Sequence, residues 1–152
     1  SIRLDEGIQI DILHSGEVGQ TDSRNDASIV ARLSYGTLSV LLTGDAEESA
    51  EASMLQEGMP VQAVVLKAGH HGANTSSSAE FLQAVAPRIV VISAGRDNSY
   101  GHPHPDMVAR AAAVGAAVLR TDELGTLELE SDGARMWWSA EHDNKIAVQW
   151  SP

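Results

Sequence analysis

The 152-residue chain contains no cysteine, which excludes disulfides and thiolate metal sites and leaves the compartment open. Basic residues are scarce: 10 Lys and Arg stand against 21 Asp and Glu, a net charge of −11. Nucleic-acid binders usually present a basic face, so this balance counts against a free-standing DNA-binding module. It does not exclude a hydrolase, because bound divalent cations add positive charge locally. No apolar run approaches the roughly 20 residues that span a bilayer, and no signal peptide is visible. Internal repeats, low-complexity tracts and domain linkers are also missing. The chain opens at Ser1-Ile2-Arg3-Leu4 without a methionine, as expected of an excised piece of something longer.

What is present suits one domain with a real core. Hydrophobic residues make up 43% of the chain, too many for disorder. Ile8 to Ile12 alternates and reads as a strand. Ser15 to Asn25, polar and glycine-bearing, reads as a loop. Ser28–Leu33 and Leu38–Thr43 form a hairpin around Tyr35-Gly36. Ala46–Glu57 has helical spacing and stops at Gly58, with Asp45 at the N-cap and Glu48 three positions on. Strand 61–66, helix 79–86 before Pro87, strand 89–93, helix 105–114 opened by Pro105 and strand 117–119 follow. Thr126–Glu130 pairs with Ala134–Trp138 across Asp132-Gly133. Ile89-Val90-Val91-Ile92 is apolar throughout, as in a strand buried on both faces. The predicted fold is α/β, a mixed sheet with flanking helices.

Side chains just past strand C-termini converge on one edge of such a sheet, where ligands bind. Three strand ends carry unusual residues. Leu41-Leu42-Thr43-Gly44-Asp45 delivers a carboxylate. Leu66-Lys67-Ala68-Gly69-His70-His71-Gly72 delivers two imidazoles. Ile92-Ser93-Ala94-Gly95 leads into Asn98-Ser99-Tyr100-Gly101-His102-Pro103. Each has a plainer reading: Asp45 as a helix cap, one histidine as a hydrogen-bonded structural residue, Tyr100–Pro103 as a turn, Ser78 as the cap of helix 79–86. Their joint occurrence at successive strand ends favours a site. Imidazole nitrogen and carboxylate oxygen are the usual ligands of Zn²⁺ and suit Mn²⁺ or Fe, and an Asp bridging two cations supports activation of water near neutral pH. "HPHPD", His102 to Asp106, is a false lead toward an HxHxDH motif: Met107 stands where the last His should be, and the segment opens a helix.

"NDASIVARLSYGTLSVLLTGD", "LKAGHHGANTSSSAEFLQAVAPRIVVISAG" and "NSYGHPHPDMVARAAAVGAAVLRTDELGTLEL" resemble the C-terminal metallo-β-lactamase-fold domain of ComEC-type competence proteins, membrane proteins for DNA internalisation. The resemblance runs from about Ile8 to Leu129. It implies that Asp45 is a metal-bridging carboxylate and catalytic residue. It implies that His70 or His71 is a metal ligand and the other a substrate or supporting contact, with His71 assigned to catalysis. His14 lies where another ligand is common. Asn98, Tyr100 and His102 are expected to line the cleft, and Ser76 and Ser77 to donate hydrogen bonds to a phosphate. The family carries an HxHxDH or HxDxDH motif upstream of the equivalent of Asp45, and this sequence has none. Residues 1–152 are therefore expected to be the second half of an αββα sandwich. Its metal site would be incomplete alone, and a bare apolar face would be open to the rest of the parent protein or to a homodimer.

Three functions follow as expectations. One is part of a Zn- or Mn-dependent phosphodiesterase or nuclease domain, with DNA as substrate on the resemblance alone, in a soluble part of a bacterial inner-membrane protein on its periplasmic or extracellular side. Another is a non-catalytic scaffold or DNA-contacting half-domain of the uptake channel. The last is a hydrolase of a non-nucleic phosphoester.

Overall fold

The computed structural model describes residues 1–4, 7–16, 23–141 and 143–150, the last of these by backbone alone. A seven-stranded sheet runs in sequence order: β1 (Ile2–Arg3), β2 (Ile8–Ser15), β3 (Ile29–Tyr35), β4 (Leu38–Leu42), β5 (Val65–Lys67), β6 (Ile89–Ile92) and β7 (Ala117–Arg120). β1 to β4 pair antiparallel and β4 to β7 parallel. Three helices, α1 (Glu48–Gln56), α2 (Ala79–Val85) and α3 (Pro105–Ala113), make the parallel crossovers. A short α4 (Thr121–Leu124) leads to a second, antiparallel sheet of β8 (Leu127–Ser131), β9 (Met136–Ala140) and β10 (Asp143–Trp150). The molecule is thus α/β, a seven-stranded mixed sheet flanked by helices, consistent with a metallo-β-lactamase-like sandwich. Among the described residues no helix is long and apolar enough to cross a membrane.

The pleat sorts the strand residues onto two faces. Leu13, Val30, Leu41, Leu66 and Val90 pack with Ala50 and Met54 of α1, Phe81, Leu82 and Val85 of α2, and Met107 and Ala111 of α3. Phe81 is fully buried there, and Phe81→Ala would cost about 3–5 kcal/mol. On the other face Leu38, Val65, Ile89 and Leu119 are covered by Met136 of β9. The tip of the β8–β9 hairpin seats on the β3–β4 turn, where Gly36 has φ 57° and a Cβ would lie 2.0 Å from the Gly133 carbonyl oxygen. Only glycine fits there.

Among the described residues, the rest of this second face is only partly covered. Ile12 pairs with Ala31, which pairs with Leu42, so the three lie in one row across β2, β3 and β4. Ile12 is 47%, Leu42 43% and Ile29, two residues before Ala31, 62% exposed. Ile2, in β1 opposite Ile10, is 54% exposed at the start of the neighbouring row.

Element boundaries moved where tertiary bonds competed with local spacing. α1 begins at Glu48, two residues after the predicted start, and Asp45 does not cap it. Its cap comes from Asp26, whose carboxylate accepts from the amides of Glu47 (3.0 Å) and Ala50 (3.4 Å) and from the Ser49 hydroxyl. The predicted strand 61–66 is shortened to Val65–Lys67, because the Val64 amide donates to the Ser39 hydroxyl and its carbonyl accepts from Arg88 and Ile89. Ser78 caps α2 and Pro105 opens α3 as expected. The loop predicted from Ser15 to Asn25 falls mainly on residues 17–22, outside the described residues.

Candidate functional site

The three strand ends of β4, β5 and β6 meet at one edge. Asp45 follows β4 through Gly44, and its amide donates to the Ser28 hydroxyl at 3.1 Å. The His70 amide donates to the Gly44 carbonyl at 3.1 Å, tying the second strand end to the first. Thr43 Oγ1 donates to the Lys67 carbonyl at 2.8 Å. Between Gly69 and Gly72 the chain makes a tight turn in which His70 (φ 44°) and His71 (φ 55°) are both left-handed. Two consecutive non-glycine residues in that region cost on the order of 1–3 kcal/mol each, so the turn is imposed by its surroundings.

The turn sends the two imidazoles to different partners. His71 Nδ1 lies 2.8 Å from the Ser93 carbonyl oxygen, which can only accept, so Nδ1 carries the proton and Nε2 keeps its lone pair. Nε2 is 3.8 Å from Asp45 Oδ1, with both side chains about half exposed. That separation is too long for a hydrogen bond. His70 Nδ1 is 2.9 Å from Glu47 Oε1, and Asn25 Nδ2 approaches the same nitrogen at 3.4 Å. Glu47 also accepts from Thr75 Oγ1 at 2.7 Å. Burial alone would raise the Glu47 carboxyl; bonds from Thr75, His70 and Asn25 outweigh it and hold it below its ordinary value.

A cleft of about 400 Å³ opens beside His71, walled by Ser93 to Gly95, Asn98, Tyr100 and His102. Asn98 organises the loop: Oδ1 accepts from the amides of Tyr100 (3.2 Å) and His102 (3.0 Å), and Nδ2 donates to the carbonyls of Gly95 (2.9 Å) and His102. Its amide is therefore committed to backbone. Tyr100, 81% exposed, stacks on His102 at 6.1 Å, and the His102 ring meets His70 edge-on at 5.5 Å. Burial lowers the His102 pKa, helped by the charges His70, His71 and His104 would carry. Its Nδ1 is buried without a hydrogen-bond partner among the described residues.

Two predicted contacts lie elsewhere. Ser76 and Ser77 are buried, and the Ser76 hydroxyl donates to the carbonyls of Gly69 (2.7 Å) and Ala73 (3.1 Å). Neither hydroxyl can reach a phosphate in the cleft. His14 sits in β2 with Nε2 2.8 Å from the Asp26 carbonyl oxygen. Among the described residues no three His, Asp or Glu side chains form a group able to hold a metal ion, so His14 does not join Asp45 and His71. Glu47 and Lys67 escaped the sequence reading. Both sat in plain view, two residues past Asp45 and three before His70. Burial lowers the Lys67 pKa while the Asp45 charge pulls it back up, and its amine donates to the Ala68 carbonyl at 3.1 Å.

Asp45 oxygen and His71 Nε2 suit a borderline cation such as Zn²⁺ or Mn²⁺, and a carbonyl on the far nitrogen is how metal-binding histidines are usually oriented. They fit a metal as two donors, where a closed site needs four or more.

No protein-family model matches the chain. It is 38% identical over 114 residues to ComE operon protein 3 of Bacillus subtilis, covering 75% of this chain and 15% of that protein. It is 39% identical over 124 residues to competence protein ComA of Neisseria gonorrhoeae, covering 81% and 18%. This chain is homologous to a segment of ComEC-type competence proteins. Recombination protein 2 of Haemophilus influenzae matches at 35% over 124 residues, 82% of this chain and 15% of that protein. The chain thus spans less than a fifth of the length of these ComEC-type relatives.

Proposed function

We propose that this chain is part of a metal-dependent phosphodiester hydrolase centre within a ComEC-type DNA-uptake protein. The observation that carries it is the Asp45–His71 pair: two donors 3.8 Å apart at adjacent strand ends, one with its tautomer set by the Ser93 carbonyl. Asp45 and His71 Nε2 would hold the cation, with the remaining ligands supplied from beyond the described residues. The exposed patch of Ile12, Ile29 and Leu42 supports that view: it is the surface through which residues 1–152, as half of an αββα sandwich, would meet a companion sheet of the parent protein. A homodimer across the same face is the competing arrangement.

When bound, a Zn²⁺ or Mn²⁺ ion polarises a phosphoryl oxygen and lowers the pKa of water. The chain's own residues do the rest. Ser93 keeps the His71 lone pair aimed at the Asp45 side. His102, whose pKa burial lowers, and the stacked Tyr100 wall the cleft in which the substrate lies beside His71. DNA as that substrate, and a periplasmic or extracellular position beside a bacterial inner membrane, are proposed with it on the resemblance to competence proteins.

The net charge of −11 and the lack of a third donor among the described residues favour a second reading, a scaffold that supports the uptake channel without cutting DNA. The test uses the natural full-length protein with Mn²⁺ or Zn²⁺, assayed on linear DNA and on a panel of non-nucleic phosphoesters. Metal-dependent DNA cleavage that falls at least 100-fold in Asp45→Ala is expected. Cleavage confined to non-nucleic esters would replace the substrate. No cleavage, with DNA uptake intact in Asp45→Ala, would leave the scaffold.

A further inference from the structure

Behind the histidine turn, two charged side chains from different helices grip one short segment of chain. Glu51 of α1 is 1% exposed. Its Oε1 accepts from the Ser77 amide at 2.6 Å and its Oε2 from the Ser78 amide at 2.9 Å. Arg110 of α3 approaches from the other side. Its Nε donates to the Ser77 carbonyl (3.2 Å), Nη1 to Asn74 Oδ1 (2.9 Å), and Nη2 to the carbonyls of Asn74 (2.9 Å) and Ser76 (3.0 Å). Every branch of the guanidinium is used, and Ser77 is held at φ 52°.

Burying a carboxylate costs several kcal/mol before its bonds are counted, and here those bonds go to the backbone amides of Ser77 and Ser78. What the pair does achieve is a fixed backbone. The gripped segment touches the histidine turn at two points. The Ser76 hydroxyl binds the Gly69 carbonyl at 2.7 Å. A Cβ on Gly69 would lie 3.1 Å from Ser76 Cβ and 2.7 Å from the Ala46 carbonyl oxygen, so the segment presses the turn against the chain just past Asp45. Thr75 binds the Glu47 carboxylate that orients His70, and its carbonyl accepts from the Glu48 amide at 2.9 Å.

We propose that Glu51 and Arg110 are positioning residues: by clamping residues 74–78 they hold, through Ser76, the left-handed His70–His71 turn in the conformation that sets the His71 Nε2 opposite Asp45. The proposal deepens the reading of Asp45 and His71 as cation ligands and rests on it. Neither clamp residue touches the cleft. Each acts on substrate only through the turn, so its loss should weaken ligand geometry more than it weakens the fold.

The test is Mn²⁺ affinity, read by electron paramagnetic resonance on the natural full-length protein below its melting temperature. Ser76→Ala removes one hydroxyl and leaves the charges in place; Glu51→Gln turns an acceptor into a donor facing the Ser78 amide; Arg110→Lys keeps charge without the fork. Val85→Ala, a cavity in α2 away from the clamp, serves as the control for lost stability. At least tenfold weaker Mn²⁺ binding is expected in Ser76→Ala, Glu51→Gln and Arg110→Lys, with Val85→Ala near the parent value despite an equal or larger fall in melting temperature. Parental affinity in Ser76→Ala and Glu51→Gln, or equal weakening in Val85→Ala, overturns the clamp while Asp45→Ala still abolishes binding. Parental affinity in Asp45→Ala overturns the site itself and the clamp with it.

Discussion

At the scale of single residues, the decisive feature is how two adjacent imidazoles are told apart. His71 has its Nδ1 on a carbonyl and its Nε2 free toward Asp45; His70 has its Nδ1 on a carboxylate. His71→Ala should therefore remove nearly all metal-dependent hydrolysis. His70→Ala should leave metal binding within about threefold and reduce turnover instead; steady-state rates and metal titrations on the two variants check this. His102 supplies a pH-dependent readout. Burial lowers its pKa, so the neutral ring is favoured in the fold. Its contribution to stability is present above the ordinary histidine value near 6.5 and is lost as pH falls through the depressed folded value. The His102 ring resonances should titrate below pH 6.5, and titration above it would contradict the buried placement. That Asp45 would meet the two histidines at one sheet edge was legible from strand-end reasoning. The choice between the two histidines was not, because it depends on which nitrogen meets the Ser93 carbonyl. Ser76 and Ser77 misled for a related reason: a run of small polar residues reads equally as a phosphate cradle and as a buried loop tied to its own backbone.

At the scale of elements, α1 shows how a local rule is displaced by a distant side chain. Asp45 and Glu48 have capping-box spacing, yet the cap comes from Asp26, some twenty residues upstream. That substitution frees the Asp45 carboxylate to face His71. Asp26→Ala should destabilise the protein by about 1–2 kcal/mol, measured as a lower urea midpoint with an unchanged slope, while Asp45→Ala should leave the midpoint nearly unmoved. A larger loss from Asp45 than from Asp26 would restore Asp45 as the cap. Glu51 adds a pH test. Burial pushes its carboxyl above the ordinary value of 4.5 against the pull of the Ser78 and Ser77 amides. A raised folded pKa means stability that is full below 4.5 and declines as pH rises through the folded value. Melts between pH 4 and 8 should show the wild type losing ground relative to Glu51→Gln as pH rises; parallel curves would show that Glu51 ionises without penalty. Strand and helix order were readable from hydrophobic periodicity and from Gly and Pro punctuation. The shortened β5 was not, since residues 61–64 are apolar enough for a strand and lose it to bonds from Ser39, Arg88 and Ile89.

At the scale of the whole molecule, the sheet is finished on one face and half finished on the other. Helices α1, α2 and α3 close the first face, and the β8–β9 hairpin closes only the strands from β4 to β7. Ile12, Ile29 and Leu42 remain exposed together over the antiparallel end. The mixed α/β class was legible from the sequence, and an uncovered apolar face was expected from the resemblance to half a sandwich; which strand residues form it was not, because alternation alone does not say which apolar residues are left uncovered within the described chain. The same incompleteness marks the site: two donors, well oriented, with no third among the described residues. The most direct measurement is a double-mutant cycle on Mn²⁺ or Zn²⁺ affinity in the natural full-length protein, with Asp45→Ala, His71→Ala and the double variant. If one ion is shared, each single change weakens binding at least 100-fold and the double is far from additive. Wild-type affinity in either single variant would mean that Asp45 and His71 hold no common cation.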